Sequence, residues 1–440
     1  MNQSFFGTDG IRASVGMEPL TAESLVKLGR AIGQWMVLKK PHARIVIASD
    51  TRLSASLCTS ALKTGLLLFP VSVDDAHVAP TPLIYHALKD AQYDFGIVVT
   101  ASHNAFQDNG IKIITDQGKI TLEDEKSIMI FFYQPYVSNY QELGSEKSVT
   151  SLPQLYLERL DRYFSSHFLR NCVVVVDTAH GAFSAYAEKI FAHYGATVKI
   201  IHNTPDGKNI NKACGSLHPQ VLQDAVIRMR ADIGFAFDGD GDRVVVVTAD
   251  GVVKDGDDIL CFLLKHPRYK TISRVVGTII SNEGLSQQLL ATHRSLVRTP
   301  VGDKYVLEML KKECLILGGE PSGHIIMRDF SECSDGLFTA LRIAETTILI
   351  HDWNLTTFTK YPHISKNMRV VVKEDLEKEP FVTIIKESEK SFVGGRLIVR
   401  YSGTEPLLRI VAEGPDKEDA EKIVEELTMQ LQKHFSKGIV

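Results

Sequence analysis

The feature that most constrains the fold of this chain is a plan that occurs three times along it. Each copy has a short run rich in β-branched residues, then a polar turn and a helical pattern. The strand-like runs are residues 44–50, 173–177 and 274–280, followed by helical patterns at 54–69, 182–194 and 285–292. Continuous apolar strands that alternate with helices are typical of parallel strands buried on both faces. The sequence therefore predicts three similar α/β domains.

Domain boundaries follow from length and from breaks in this plan. At 440 residues the chain is too long for one hydrophobic core, and its length favours roughly three domains. Beyond residue 361 the plan gives way to a connector at 362–367, strands at 369–372, 395–400 and 407–413, and a helix at 417–435. Strands closed by a helix indicate a smaller α+β domain. The predicted domains are residues 1–150, 151–250, 251–361 and 362–440.

Charge and cysteine usage exclude several classes of protein. The formal net charge is -4, and basic runs are absent, which argues against binding to nucleic acid or to a membrane surface. We find neither a signal-like N-terminus nor an apolar run of about 20 residues. The six cysteines are dispersed and form no CxxC pair, which favours free thiols in the cytoplasm and argues against a zinc site.

A serine and a histidine follow the apolar run at residues 95–99. Ser102 stands where a strand gives way to a loop, and the Asn-Gly turn signal at 109–110 predicts that Lys112 faces it. Taken alone, this motif also fits an ordinary solvated loop. Phosphoserine carries a charge of about -1.5 to -2, so a phosphoryl carrier requires cationic partners. We predict that Ser102 carries a phosphoryl group, with His103 and Lys112 supplying proton transfer or charge.

Three carboxylates alternate with glycines in the sequence DGDGDR at residues 238–243. Core-like strands flank this segment, and adjacent carboxylates repel each other unless a cation lies among them. A calcium-binding EF-hand loop does not fit, because its sixth position would be Arg243 and its twelfth Ala249. The predicted ligands of one Mg²⁺ are Ser102, Asp238, Asp240 and Asp242. Arg243 is then placed to bind phosphate or sugar oxygens of a substrate.

A glycine-rich loop at residues 318–324 carries a carboxylate, a hydroxyl and an imidazole. Glu320 and Ser322 are suited to sugar hydroxyls or to an amino group, and His324 to acid or base catalysis. The loop that begins at Thr299 is a weaker signal and is predicted to support the same cleft.

Two arginines enclose a Ser-Gly-Thr turn near the C-terminus. Hydroxyls, backbone N–H groups and planar guanidinium groups together match a phosphate dianion. The predicted phosphate-binding residues are Arg400, Ser402, Gly403, Thr404 and Arg409.

These four loops, in this order and together with FGTDGIR at residues 6–12, resemble the α-phosphohexomutase family over essentially the whole chain. The resemblance implies three α/β domains and a mobile C-terminal domain around a central cleft. It also implies that Ser102 is the phosphorylated serine, that the three aspartates hold Mg²⁺ beside it, and that Arg12 reaches the active site.

Further similarities indicate which member of the family the chain resembles. They are residues 205–211 with Cys214 and Gly215, the stretch after Val301, and residues 361–367. They imply interconversion of glucosamine 6-phosphate and glucosamine 1-phosphate through glucosamine 1,6-bisphosphate, feeding UDP-N-acetylglucosamine synthesis. The implied protein is a monomer or homodimer whose partner is a small sugar phosphate. A mutase of glucose or mannose phosphates stays open, because Pro321 alters the loop beside Glu320. A non-catalytic sugar-phosphate-binding protein is the more distant alternative.

Overall fold

The computed structural model describes residues 4–7, 9–91, 93–135, 142–401 and 407–435. The chain forms two compact units, one of Met1–Ile279 with Val297–Thr356 and one of Ile280–Leu296 with Thr357–Val440. Within the described ranges, no helix is both long enough and apolar enough to cross a bilayer.

The first sheet has eight strands. They are β1 (Phe6–Gly7), β2 (Gly10–Ser14), β3 (Arg44–Ser49), β4 (Ser72–Val78), β5 (Phe95–Val99), β6 (Asp108–Thr115), β7 (Gly118–Lys119) and β8 (Ser145–Ser148). Their order is β1-β2-β6-β5-β3-β4-β8, with β7 paired to β6. Strand β3 runs parallel to β4 and β5, whereas β6 is antiparallel to β2 and β5. The carboxyl ends of β3 and β5 therefore lie side by side and present their loops at one edge.

Four helices accompany this sheet, namely α1 (Ala22–Lys39), α2 (Ala55–Leu66), α3 (Thr81–Asp90) and α4 (Leu122–Tyr133). Helix α1 begins where the Thr21 side chain accepts a hydrogen bond from the Ser24 backbone N–H, at 3.2 Å. Leu25, Leu28 and Ile32 on α1 are fully buried, and their spacing of three and four residues lies on one helix face. That face packs against α2 and the sheet to form the core.

The second sheet has five strands in the order β10-β9-β11-β12-β13. The strands are β9 (Val173–Asp177), β10 (Thr197–Ile201), β11 (Ile233–Phe237), β12 (Val244–Thr248) and β13 (Val253–Lys254). The helices of this region are α5 (Leu152–Leu160), α6 (Ala187–His193) and α7 (Gln220–Met229), and a 3-10 turn lies at Ala182–Ala185. Strand β9 is parallel to both neighbours, and β12 returns antiparallel to β11. Every residue of β11 and β12 is buried, so the short acidic loop between them is held by core strands.

The third sheet has the order β15-β14-β16-β17. Its strands are β14 (Arg274–Thr278), β15 (Ser295–Thr299), β16 (Leu317–Gly319) and β17 (Ile325–Met327). The helices of this region are α8 (Gly256–Leu263), α9 (Glu283–Ala291), α10 (Asp303–Lys312) and α11 (Gly336–Ile350). The predicted strand-turn-helix plan is present in all three regions, which confirms the three α/β domains.

The fourth sheet is antiparallel, with the order β18-β20-β19. Its strands are β18 (His363–Arg369), β19 (Arg396–Tyr401) and β20 (Leu407–Glu413), packed with helices α12 (Phe381–Ser391) and α13 (Lys417–Phe435). The predicted smaller C-terminal domain of strands and a closing helix is confirmed.

One prediction in this region is wrong. The connector expected at residues 362–367 is largely strand β18, and the strand expected at 369–372 ends at Arg369. Val371 and Val372 lie beyond it and are exposed. Strand β18 lies at the edge of the sheet, and of its seven residues only Met368 is buried, so its sequence is polar although its backbone pairs with β20.

Candidate active site

Ser102 lies in the loop that follows β5, and its side chain is buried. Its hydroxyl Oγ donates a hydrogen bond to Oδ2 of Asp238 at 2.7 Å, and Nδ1 of His103 is 3.2 Å from the same Oγ. The residue has φ = 53°, a left-handed conformation that is uncommon outside glycine. The structure thus brings together the serine, its neighbouring histidine and the first aspartate of the acidic loop.

The serine loop is held by a buried arginine that the sequence analysis did not single out. Arg52 donates to the carbonyl oxygens of Ser102 at 3.0 Å and Asn104 at 2.8 Å. Its Nε donates to Oδ2 of Asp50 at 2.9 Å, and burial raises the pKa of Asp50 against the effect of Arg52. Nδ2 of Asn211 also donates to the Ser102 carbonyl oxygen, at 2.8 Å. These donors fix the backbone that carries the Ser102 hydroxyl.

The acidic loop between β11 and β12 places Asp238, Asp240 and Asp242 around one point. One carboxylate oxygen of each lies within 4.8 Å of the other two, and all three residues are buried. Among the described residues, Oδ1 of Asp240 is buried without a hydrogen-bond partner. A Cβ at Gly239 would lie 2.5 Å from the carbonyl oxygen of Ser102, so glycine is needed for the two loops to approach. Clustered carboxylate oxygens with an orphaned buried atom fit a hard divalent cation.

Lys112 on β6 faces these carboxylates. Its Nζ donates to Oδ2 of Asp240 at 2.7 Å and to Oδ2 of Asp242 at 2.8 Å. Burial opposes a charged lysine, but the carboxylates outweigh it and raise the pKa of Lys112. Burial and the two neighbouring carboxylates raise the pKa of Asp238 to about 7, which reflects how much negative charge is concentrated here. We name Ser102, Lys112, Asp238, Asp240 and Asp242 the serine–aspartate cluster.

Arg12 joins this region through Asp9, a second residue that the sequence analysis missed. The Arg12 guanidinium pairs with the Asp9 carboxylate, which also contacts Lys119 and lies 3.2 Å from Nζ of Lys112. Burial raises the pKa of Asp9, but Lys112, Lys119 and Arg12 outweigh that effect and hold it well below its usual value. Asp9 therefore links Arg12 to the serine–aspartate cluster.

The predicted sugar loop contacts the acidic loop through His324. Nδ1 of His324 lies 2.9 Å from Oε2 of Glu320, and its Nε2 lies 3.1 Å from Oδ1 of Asp242. Nε of Arg243 lies 3.2 Å from Nε2 of His324. Burial and Arg243 oppose protonation, but Asp242 and Glu320 outweigh them and raise the pKa of His324 to about 9. Ser322 is at the edge of this group, with its Oγ 3.4 Å from Nδ1 of His324.

His103 has the opposite electrostatic surroundings. Burial, together with the positive charges of Arg243 and Arg12, lowers its pKa to about 4. The pKa values of these two histidines are thus shifted in opposite directions, that of His103 downward and that of His324 upward.

The loop at Thr299 contributes to this site through its backbone. The Thr299 hydroxyl donates to the carbonyl oxygens of Gly277 at 3.2 Å and Pro300 at 2.9 Å. Further along the loop, the N–H of Gly302 donates to Oε1 of Glu320 at 2.8 Å. The loop thus contacts Glu320 through Gly302, whereas the Thr299 hydroxyl bonds only backbone oxygens of its own loop and of β14.

Arg400 and Arg409 lie in the second unit, directly opposite each other on the paired strands β19 and β20. We name them the arginine pair. Arg400 is exposed and Arg409 is half-buried. Residues directly opposite each other on antiparallel strands lie on the same face of the sheet, so the two guanidinium groups start from neighbouring positions. The other predicted members, Ser402, Gly403 and Thr404, lie outside the described residues.

A signal for the missed residues was present in the sequence. Asp50 and Arg52 follow β3 directly, at the same sheet edge as the serine loop after β5. Because polar residues at the carboxyl ends of parallel strands converge on one edge, this Asp-Thr-Arg segment could have been added to the site. Asp9 had a different signal, because it lies within the FGTDGIR segment at residues 6–12 that carries part of the family resemblance.

Family models match nearly all of the chain. They describe the four domains of phosphoglucomutase/phosphomannomutase, with alpha/beta/alpha domains I at residues 3–133, II at 154–251 and III at 255–351, and the C-terminal domain at 366–430. Curated relatives include a phosphoglucosamine mutase of Acinetobacter baumannii (strain ACICU), 38% identical over 96% of this chain and 97% of its own length. Another phosphoglucosamine mutase, from a Nitratiruptor species, is 39% identical over 98% of this chain and 99% of its own length.

Solved structures share the fold over the full length. A phosphoglucomutase/phosphomannomutase family protein from Burkholderia thailandensis has a TM-score of 0.82 at 24% identity, covering 100% of this chain and 99% of its own. An Aspergillus fumigatus N-acetylphosphoglucosamine mutase, solved with GlcNAc-6P and magnesium, has a TM-score of 0.65 at 16% identity, covering 98% and 96%. With four matching domain models and curated relatives of this identity and coverage, the chain belongs to the phosphoglucomutase/phosphomannomutase family of enzymes.

Proposed function

We propose that this chain interconverts glucosamine 6-phosphate and glucosamine 1-phosphate, with Ser102 as the phosphoryl carrier. The observation that carries the proposal is the position of the Ser102 hydroxyl, 2.7 Å from Asp238 at the rim of the three-carboxylate loop. The curated relatives named phosphoglucosamine mutase support the choice of an amino sugar. A hydroxyl beside a cation site is where a phosphoryl group can be held and passed on.

The reaction consists of two transfers in opposite directions. In the first, the sugar O1 hydroxyl of glucosamine 6-phosphate attacks the phosphorus of phosphorylated Ser102. The bond between phosphorus and Oγ breaks, and glucosamine 1,6-bisphosphate forms. The O1 hydroxyl gives up a proton and Oγ gains one; Nδ1 of His103 lies 3.2 Å from Oγ, within reach of a proton exchanged there. The bisphosphate then reorients, and Oγ attacks the phosphorus on O6. The bond between phosphorus and O6 breaks, which leaves glucosamine 1-phosphate and phosphorylated Ser102.

Asp238, Asp240 and Asp242 are the proposed ligands of one Mg²⁺. The buried oxygens that converge within 4.8 Å, and the orphaned Oδ1 of Asp240, support this assignment. When bound, Mg²⁺ offsets the negative charge of the transferring phosphoryl group. Lys112 contributes a further positive charge in the same place, since its Nζ already contacts two of these carboxylates.

The arginine pair is proposed to hold the phosphate that is not reacting. Two guanidinium groups on paired strands can form several charge-assisted hydrogen bonds with one dianion. Glu320 and Ser322 are proposed to contact the sugar, because their loop contacts Asp242 and Arg243 through His324. While one phosphoryl group is transferred at Ser102, the other phosphate of the same sugar is the group that the arginine pair would bind.

A coupled mutase assay tests the proposal. Glucosamine, N-acetylglucosamine, glucose and mannose phosphates are compared under matched bisphosphate activation. A charge-assisted hydrogen bond is worth about 1.5–3 kcal/mol and a neutral one about 0.5–1.5, so we expect at least roughly tenfold higher kcat/KM for glucosamine phosphate than for glucose phosphate. Ser102→Ala, purified in parallel, controls for contaminating mutases. If kcat/KM with glucose phosphate were equal to or higher than with glucosamine phosphate, the proposal would be wrong and the alternative below would hold.

The alternative is a mutase of neutral hexose phosphates, and one observation favours it. Both carboxylate oxygens of Glu320 already have protein partners, Gly302 N–H at 2.8 Å and His324 Nδ1 at 2.9 Å. A carboxylate in that state has less attraction left for a sugar ammonium group. In this alternative Glu320 positions His324, and Glu320→Gln leaves the ratio of activities on glucosamine and glucose phosphates unchanged.

A further inference from the structure

A second group of metal-ligating side chains lies in the β10-β9-β11 sheet, apart from the acidic loop. Asp177 ends β9, and His202 immediately follows β10, which is parallel to β9 with Ile201 opposite Asp177. Cys214 belongs to the loop that follows. One ligand atom of each of these three side chains lies within 4.8 Å of the other two. Parallel pairing thus assembles an oxygen, a nitrogen and a sulfur donor from three separate parts of the sequence.

Backbone hydrogen bonds hold the Asp177 carboxylate in place beside His202. Oδ1 of Asp177 accepts from the N–H of Ala179 at 2.8 Å, and Oδ2 accepts from the N–H of Gly215 at 2.9 Å. Nδ1 of His202 is buried and lies 3.0 Å from Oδ2 of Asp177. Backbone donors that fix a carboxylate beside an imidazole are typical of the surroundings of a bound metal.

A cysteine, histidine and aspartate that lie together could instead form a nucleophilic site, but the burial of the thiol argues against that. Cys214 is 1% exposed. A thiol without contact to solvent is not accessible to a substrate, and burial disfavours its charged form. A nucleophilic cysteine needs an exposed thiolate, and the burial of Cys214 disfavours one. A divalent cation removes that obstacle, because it displaces the thiol proton on binding.

We propose that Asp177, His202 and Cys214 form a second metal site, selective for a borderline divalent cation of the Zn²⁺ class. Thiolate, imidazole and carboxylate are the ligands of such cations, whereas Mg²⁺ prefers oxygen alone. A cation would reach these side chains past His202, whose side chain is 24% exposed, whereas Asp177 and Cys214 are buried. The dispersed cysteines argue against zinc from sequence alone, but the fold supplies the other two ligands from neighbouring strand ends.

The site has a direct connection to the serine loop. The N–H of Asn211 donates to the carbonyl oxygen of Ala179 at 3.0 Å, and Ala179 is the residue that also donates to Asp177. Nδ2 of the same Asn211 donates to the carbonyl oxygen of Ser102 at 2.8 Å. A cation bound by Asp177 would therefore stiffen the segment that supports the phosphoryl carrier. We assign it a positioning role and no chemical step.

Cobalt substitution tests the site without relying on activity. Co²⁺ is titrated into the metal-free full-length protein, and a thiolate-to-cobalt charge-transfer band in the near ultraviolet is expected to saturate at one equivalent. The oxygen-only acidic loop has no thiolate, so Asp240→Asn leaves the band intact. Zn²⁺ abolishes the band at equal concentration, and Mg²⁺ in large excess does not.

Two pairs of matched variants complete the experiment. Cys214→Ser and His202→Asn are expected to lose the band or to weaken Co²⁺ binding at least tenfold. Cys172→Ser, another buried cysteine, and His218→Asn, an exposed histidine of the same domain, are expected to keep it. Should Cys214→Ser fail to fold, His202→Asn decides, because its side chain is partly exposed. Absence of the band in the wild type, or its persistence in both His202→Asn and Cys214→Ser, overturns the proposal.

Discussion

The serine–aspartate cluster and the arginine pair differ in burial and in the balance of their charges. In the cluster, every member is buried and bonded to another, with Ser102 on Asp238 at 2.7 Å and Lys112 on two aspartates. In the arginine pair, two like charges face each other across β19 and β20, and Arg400 is exposed. Preorganised charge lowers a reaction barrier, whereas a cationic pair supplies recognition. The comparison predicts that changes in the cluster act on kcat and changes in the arginine pair act on KM.

The largest of these effects is expected for Asp240→Asn. The change removes one charge from the proposed Mg²⁺ site, and metal stabilisation of a transferring group is worth several kcal/mol. Since about 1.4 kcal/mol is tenfold in rate, we expect kcat to fall about 10³-fold. Steady-state kinetics measure this, with the exposed Asp224→Asn of the same domain as control. A variant whose KM rises while kcat is preserved would contradict the division between the two regions.

Lys112→Met tests the cationic partner in the cluster. The substitution leaves Asp240 and Asp242 without the ammonium group that now contacts both. Loss of one preorganised charge typically costs about 10²-fold in kcat. The exposed Lys126→Met on α4 is the matched control. If high Mg²⁺ fully restored kcat to the variant, Lys112 would be a mere counter-charge for the carboxylates and our assignment of it to the transfer step would be wrong.

Arg409→Lys tests the other region. A lysine keeps the positive charge but cannot form the planar, paired hydrogen bonds of a guanidinium. One charge-assisted hydrogen bond is worth about 1.5–3 kcal/mol, so KM is expected to rise about tenfold or more while kcat changes by less than about twofold. Arg369→Lys on the neighbouring strand β18 is the control and is expected to leave both constants unchanged. An equal loss in kcat and kcat/KM would place Arg409 with the cluster.

The smallest effect is one of stability. Because Arg400 directly faces Arg409, Arg400→Gln removes a repulsion worth about 0.2–1 kcal/mol and is expected to stabilise the protein slightly. Inorganic phosphate is expected to raise the Tm of the wild type more than that of the variant. Thermal unfolding with and without phosphate measures both. Lower stability of the variant in the absence of phosphate would show that the two charges are already compensated within the protein.

Sequence reasoning identified what strand composition and loop chemistry encode locally. The β-branched runs before Asp50, at 173–177 and at 274–278 are strands, and the predicted helix at 417–435 is α13. It could not identify residues that act across long stretches of chain, because their pattern is visible only in the fold. Arg52 bonds the carbonyl oxygens of residues 50 and 52 positions away, and Asp9 joins Lys112 and Lys119. Strand β18 was missed for a different reason, since an edge strand needs backbone pairing but few apolar side chains.

The central claim is that Ser102 carries the phosphoryl group, and intact-mass measurement tests it most directly. Wild-type protein incubated with glucosamine 1,6-bisphosphate is expected to gain the mass of one phosphoryl group, which is then lost when glucosamine 6-phosphate is added. Ser102→Ala is expected to stay unmodified under the same conditions and to show no turnover, with its fold intact by circular dichroism. A phosphorylated Ser102→Ala protein, or one with near-normal mutase activity, would contradict the account.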